Sequence, residues 1–246
     1  MPSLRLGIMT AVVYTAIIAV GTASIFVLRQ EPISLEIALL SLLPVQLLAV
    51  FMCAAVVVRF AGWRAIGFGR IQWSGLLWFL PSWVVLAVMG AGIAQALTAQ
   101  MMAGLGAFGI TLLTVTTFLV AFGEEIVFRG VLLRGAITRL AVPAAMFLSA
   151  LSFGLFHWVN RIAGQGASET SLQVLFAFLV GFFLAPIAIR VGNLWPLIIW
   201  HWFWNIAVIL GQVAVVLHPY ALTGLAIQAV ISIWLWTDMI RKGRAD

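Results

Sequence analysis

Long apolar runs broken by short polar or basic stretches set the pattern of this chain. A helix that crosses a bilayer needs about 20 mostly apolar residues. Runs of that kind predict helices near 7–28, 37–58, 75–97, 108–128, 143–159, 172–189, 194–212 and 221–240. The first run, Leu6 to Leu28, exceeds the usual apolar core of a signal peptide. It meets Arg29 with no small-residue cleavage site before a polar segment, so it is expected to stay as the first helix. No block between the runs is polar enough for a separate soluble domain. The expected fold is all-α, a single integral membrane domain over 1–246 built as a bundle of about eight transmembrane helices.

Composition strengthens this reading. Of the 246 residues, 64% are hydrophobic and 8% charged, where a soluble domain carries about 25% charged residues. Such a chain has the lipid bilayer as its solvent. Its formal charge of +6 does not indicate nucleic acid, because the basic residues punctuate apolar runs. With the N-terminus inside, Arg5, Arg59, Arg64, Arg70, Arg129, Arg134, Arg139, Arg190, Arg241, Lys242 and Arg244 all fall on the inner side. Only Arg29 and Arg161 fall outside. That asymmetry predicts both termini cytoplasmic, and twelve Arg against one Lys suggests a bacterial inner membrane. Cys53 lies alone within an apolar run and is expected to be a small buried residue.

Few ionisable residues lie at membrane depth, where each costs at least ~2.5 kcal/mol on insertion scales. Glu124, Glu125 and Arg129 end the fourth predicted helix, His157 ends the fifth, and His201 and Asn205 lie within the seventh. Glu169 and His218 are expected in loops, and Asp238 beside Arg241 and Lys242. The i, i+4 spacing pairs Glu125 with Arg129. It also aligns Phe153 with His157, and His201 with Asn205. Glu124 is rotated about 100° from Glu125, free to face a cavity. A buried carboxylate can serve as general base on a water. A second His and an Asn amide can donate to an oxyanion. A carboxylate with two imidazoles also suits a divalent metal such as zinc, which makes Glu124, His157 and His201 the candidate ligands and a metal-free route the alternative. Both routes end in amide hydrolysis. No H-E-x-x-H or G-x-S-x-G is present, and Asp238 and Asp246 are the only aspartates.

Three segments resemble the signatures of the CAAX-protease and bacteriocin-processing family of intramembrane (metallo)endopeptidases. Glu124-Glu125-Ile126-Val127-Phe128-Arg129 resembles its EExxxR motif. Phe153 to His157 resembles FxxxH, and His201 to Asn205 resembles HxxxN. The motifs follow the family's order, on separate predicted helices, within about residues 108–212. The resemblance implies an eight-helix bundle around a conical cavity open toward the cytoplasm, the side to which the charge count assigns Arg129 and Arg134. It implies that Glu124 and His157 activate the water and that His201 and Asn205 stabilise the oxyanion. Glu125, Arg129 and Phe153 would support them. The implied partner is a membrane-associated peptide or protein substrate. The alternative is a non-catalytic immunity or scaffolding protein of the same fold, which binds a peptide or partner without cutting it.

Overall fold

Apolar chain in lipid must satisfy its backbone polar groups internally, and helices do this within one segment. The structure, a computed structural model, describes residues 1–27, 34–214 and 217–242. Arg29, Arg244 and Asp246 lie outside the described residues, as do the side chains of His218 and Lys242. Helices α1 (Leu4–Val27) and α2 (Leu35–Val56) are followed by a short α3 (Trp73–Leu76) and by α4 (Leu80–Ala96). Next come α5 (Ala99–Glu125), α6 (Leu133–Ile137), α7 (Val142–Phe156), α8 (Ala167–Val191), α9 (Trp195–Val213) and α10 (Leu217–Lys242). Among the described residues, seven helices are long and apolar enough to cross a membrane, and the shorter apolar Leu80–Ala96 occupies the third predicted place. The all-α membrane bundle is therefore observed.

Local chemistry explains several helix ends. The hydroxyls of Ser34 and Thr98 accept from the backbone N–H of Ile37 and Met101, opening α2 and α5. Pro81, Pro143 and Pro196 stand in the first turns of α4, α7 and α9, where no N–H is required. Gly192, at φ +68°, closes α8 with its N–H on the Ala188 carbonyl. The chain then reverses directly into α9.

The fourth predicted helix is longer than its apolar run suggested. Gly106 kinks it near its start at φ +61°. Beyond Glu125 it continues through a wide π-helical segment, Ile126–Leu132, into α6. Glu124, Glu125 and Arg129 consequently lie inside a helical span running from Ala99 to Ile137, not at its end. The apolar stretch after Arg129 keeps the helix going, and Arg134 settles by donating to the Ala188 carbonyl at 2.9 Å. Two loop expectations also change. Glu169 stands in the first turn of α8, and the backbone of His218 in the first turn of α10.

One end of the bundle is stitched by the chain between α2 and α3. Leu194 N–H donates to Gly67 O at 2.7 Å and Gln72 N–H to Val191 O at 2.8 Å. Arg190 pairs with Asp238 across α8 and α10, so Asp238 serves a distant arginine. At the bundle's centre α7 and α8 cross closely. A Cβ on Gly154 would meet Phe178 Cβ at 2.8 Å, and one on Gly181 would meet Ala150 Cα at 3.0 Å. Small residues allow such approach in membrane helices. The close crossing brings the end of α7 beside the α9 residues of the candidate site.

Candidate active site

The site forms where the middle of the long α5 span meets the last turn of α7 and the first half of α9. Glu125 is fully buried. Its Oε1 accepts from Arg129 Nη1 at 3.0 Å and from His201 Nδ1 at 2.8 Å. The pairing expected from i, i+4 spacing is present. The arginine plane lies over the Phe153 ring, 4.0 Å from its centroid. Phe153 also meets the rings of His201 and His157 edge to face, at 5.8 and 4.9 Å. A single phenylalanine thus spaces one arginine and two histidines.

His201 is the link between the two carboxylates. Its Nδ1–H is held by Glu125, so in the neutral ring Nε2 is the acceptor nitrogen. Nε2 stands 3.6 Å from Glu124 Oε2, an oxygen that is buried without a hydrogen-bond partner. That distance is too long for a direct hydrogen bond. Two lone-pair atoms facing each other in a buried place call for a proton or a water between them. The 100° rotation between Glu124 and Glu125 therefore does not send them to different places. An imidazole with nitrogens on opposite sides serves both.

His157 begins a tight turn after α7, and its Nδ1–H donates to the Phe153 carbonyl at 2.9 Å. That leaves Nε2 as its free ring nitrogen. No direct contact joins His157 to Glu124 among the interactions of the described residues. His157, His201, Asn205 and Phe153 line a cavity of about 590 Å³. Glu124 is 4% exposed and is not among the lining residues. Trp200 is fully buried and stacks on Trp204 at 5.1 Å, so these tryptophans pack the bundle. Among the described residues, no three His, Cys, Asp or Glu side chains gather closely enough to hold a metal ion. Glu124 and His201 face each other as a pair, without His157 as a third.

Two contributors escaped the sequence reading. Ser149 Oγ on α7 donates to Phe128 O at 2.8 Å, inside the π-helical segment. Tyr14 on α1 is fully buried, its ring against Phe128 and Phe156. Its hydroxyl packs against Gly123, next in chain to Glu124, and has no partner. Its one sequence signal is a lone phenol in an otherwise aliphatic run.

This assembly, two carboxylates joined by one imidazole beside a second histidine and an asparagine, lies within a single matched stretch. Residues 106–207 match the family described as Rce1-like, type II CAAX prenyl endopeptidase Rce1-like. That stretch, under half of the chain, is similar to a CAAX-endopeptidase family. No curated protein and no solved structure matches the chain. The Rce1-like stretch holds Glu124, Glu125, Arg129, Phe153, His157, His201 and Asn205, and leaves out Tyr14.

Proposed function

We propose that the protein is an intramembrane endopeptidase that hydrolyses peptide bonds of membrane-associated peptides or proteins. One observation carries this reading: the unpartnered Oε2 of Glu124 faces His201 Nε2 at 3.6 Å, and His201 in turn lines a cavity shared with His157 and Asn205. Glu124 takes the proton of a water, and the resulting hydroxide attacks the substrate carbonyl carbon. The Asn205 amide, on the cavity wall, donates to the oxyanion. The proton then moves to the leaving nitrogen as the C–N bond breaks. Glu125 and Arg129 hold His201 in the ring orientation that presents Nε2 to Glu124, much as a buried acid orients the histidine of a hydrolytic triad. His157 Nε2 offers a second imidazole to the same cavity. The arginine-rich end faces the cytoplasm of a bacterial cell, with both termini on that side.

The test is cleavage of membrane-anchored peptides by the purified protein in liposomes, read by mass spectrometry. Glu124→Gln and a chelator-treated sample run beside it. The wild type is expected to cleave, and Glu124→Gln to lose on the order of 10²-fold or more in rate. Retained cleavage by Glu124→Gln removes the proposed base. The chelator arm separates metal-dependent from metal-free hydrolysis.

A further inference from the structure

We propose that Glu169 selects the substrate of this cavity by charge, favouring a peptide with a basic side chain four or five residues from the bond to be cut. The cut bond belongs to the endopeptidase reading, on which this rests; the charge preference comes from the cavity walls. On α8 the lining residues are Glu169, Leu172, Gln173, Phe176, Ala177 and Val180. Their spacing of three and four makes one stripe along the helix. On α9 His201, Trp204, Asn205, Val208 and Gln212 make a second stripe. A Cβ on Gly181 would meet the Phe153 ring at 3.2 Å. The Val180 end of the α8 stripe therefore stands level with the site, where Phe153 touches both histidine rings. Glu169 closes the same stripe at its far end.

Among the described residues that line the cavity, Glu169 is the one Asp, Glu, Lys or Arg. It is exposed, and it forms no ion pair among the described residues. Arg161, the cation nearest in sequence, donates to Gln165 O at 3.4 Å and does not line the cavity. An acid in the first turn of a helix also complements the helix dipole, but that role alone needs no place on the cavity stripe. Gln165, Gln173 and Gln212 offer amides to a peptide backbone without a charge of their own. Discrimination by sign therefore falls to Glu169. It stands eight residues from Ala177 and eleven from Val180, roughly 12–16 Å along α8. An extended peptide covers that length in about four or five residues. A basic side chain at that point meets the carboxylate, and an acidic one is repelled.

A peptide series tests this on the full chain in detergent. One neutral membrane-anchored peptide carries a single Lys, norleucine or Glu, scanned along its sequence. Norleucine keeps most of the lysine stem without the charge. Binding is read by fluorescence anisotropy on Glu124→Gln protein, which requires no cleavage, and cut products are read by mass spectrometry on the wild type. Lys four or five residues from the cut bond is expected to bind roughly fivefold tighter than norleucine, with the advantage shrinking at high salt. Glu at the same place should bind more weakly than norleucine. Glu169→Gln should level the three peptides. Glu169→Lys should reverse their order, and a reversed order also shows that the variant is folded. The proposal is overturned by equal binding of the three peptides at every position, or by a preference confined to residues beside the cut bond. It is equally overturned if both Glu169 variants elute monodisperse and keep the wild-type preference. Should the charge preference appear in binding while the wild type cuts nothing, Glu169 keeps its role and the protease reading falls.

Discussion

Arg129 and Glu125 hold each other in a place where neither survives alone. Arg129 has its Nε and Nη2 without partners, and its charge is met by one carboxylate oxygen and the Phe153 face. Replacing it by Met leaves Glu125 buried beside His201 alone. Breaking a buried pair costs about 3–5 kcal/mol, so Arg129→Met is expected to lower the thermal unfolding temperature in detergent sharply. Glu124→Gln should do the opposite. An amide replaces a carboxylate with an unpartnered oxygen, so thermal stability is held or raised while cleavage is lost. Contrasting unfolding curves for the two variants would separate the structural ion from the reacting one. Tyr14→Phe removes an orphaned hydroxyl and should leave stability unchanged or slightly higher. A large loss of cleavage in Tyr14→Phe would instead bring α1 into the chemistry. At this scale the sequence showed the Glu125–Arg129 pair, because i, i+4 geometry is local. It did not show that His201 joins both carboxylates, because that depends on how α9 is turned toward α5.

At the scale of elements, the π-helical segment and the α7–α8 crossing shape the site. In the wider turn at Ile126–Leu132 the Phe128 carbonyl accepts from Leu133 N–H and takes a second bond from Ser149 Oγ on α7. Ser149→Ala removes the bond that ties α7 to this turn while Leu133 N–H still serves the carbonyl, at a cost of about 0.5–1.5 kcal/mol, measurable as a modest fall in unfolding temperature with little change in substrate binding. Gly181→Leu would push a side chain into Ala150 on α7. It is expected to part α7 from α8, displace His157, and reduce cleavage and stability together. Helix positions were legible from hydropathy, since each apolar run reports its own solvent. The continuation of α5 past Arg129 was not. Charges normally mark a helix end in a membrane protein, and here they mark its buried middle, where His201 and Phe153 compensate them.

The whole molecule places its chemistry between an arginine-laden end and a cavity walled by four helices. That layout was partly readable, because the arginines announce one face directly. The cavity was not readable, since its walls come from α7, α8, α9 and α10, which no local pattern links. The same long-range dependence bears on how the protein is made. Glu125 and His201 are 76 residues apart in the chain. During synthesis the helix carrying two carboxylates and Arg129 reaches the bilayer well before α9 exists. Until then its acids lack their imidazole, at a cost of at least ~2.5 kcal/mol per charge at the membrane centre. The nascent protein is expected to pass through a stage in which α5 is less stable in lipid than it is in the finished bundle. Chains stopped at Val191 should be cleared by membrane quality control far faster than the full protein. Pulse-chase of the two lengths would show whether α9 is the segment that stabilises α5 in lipid.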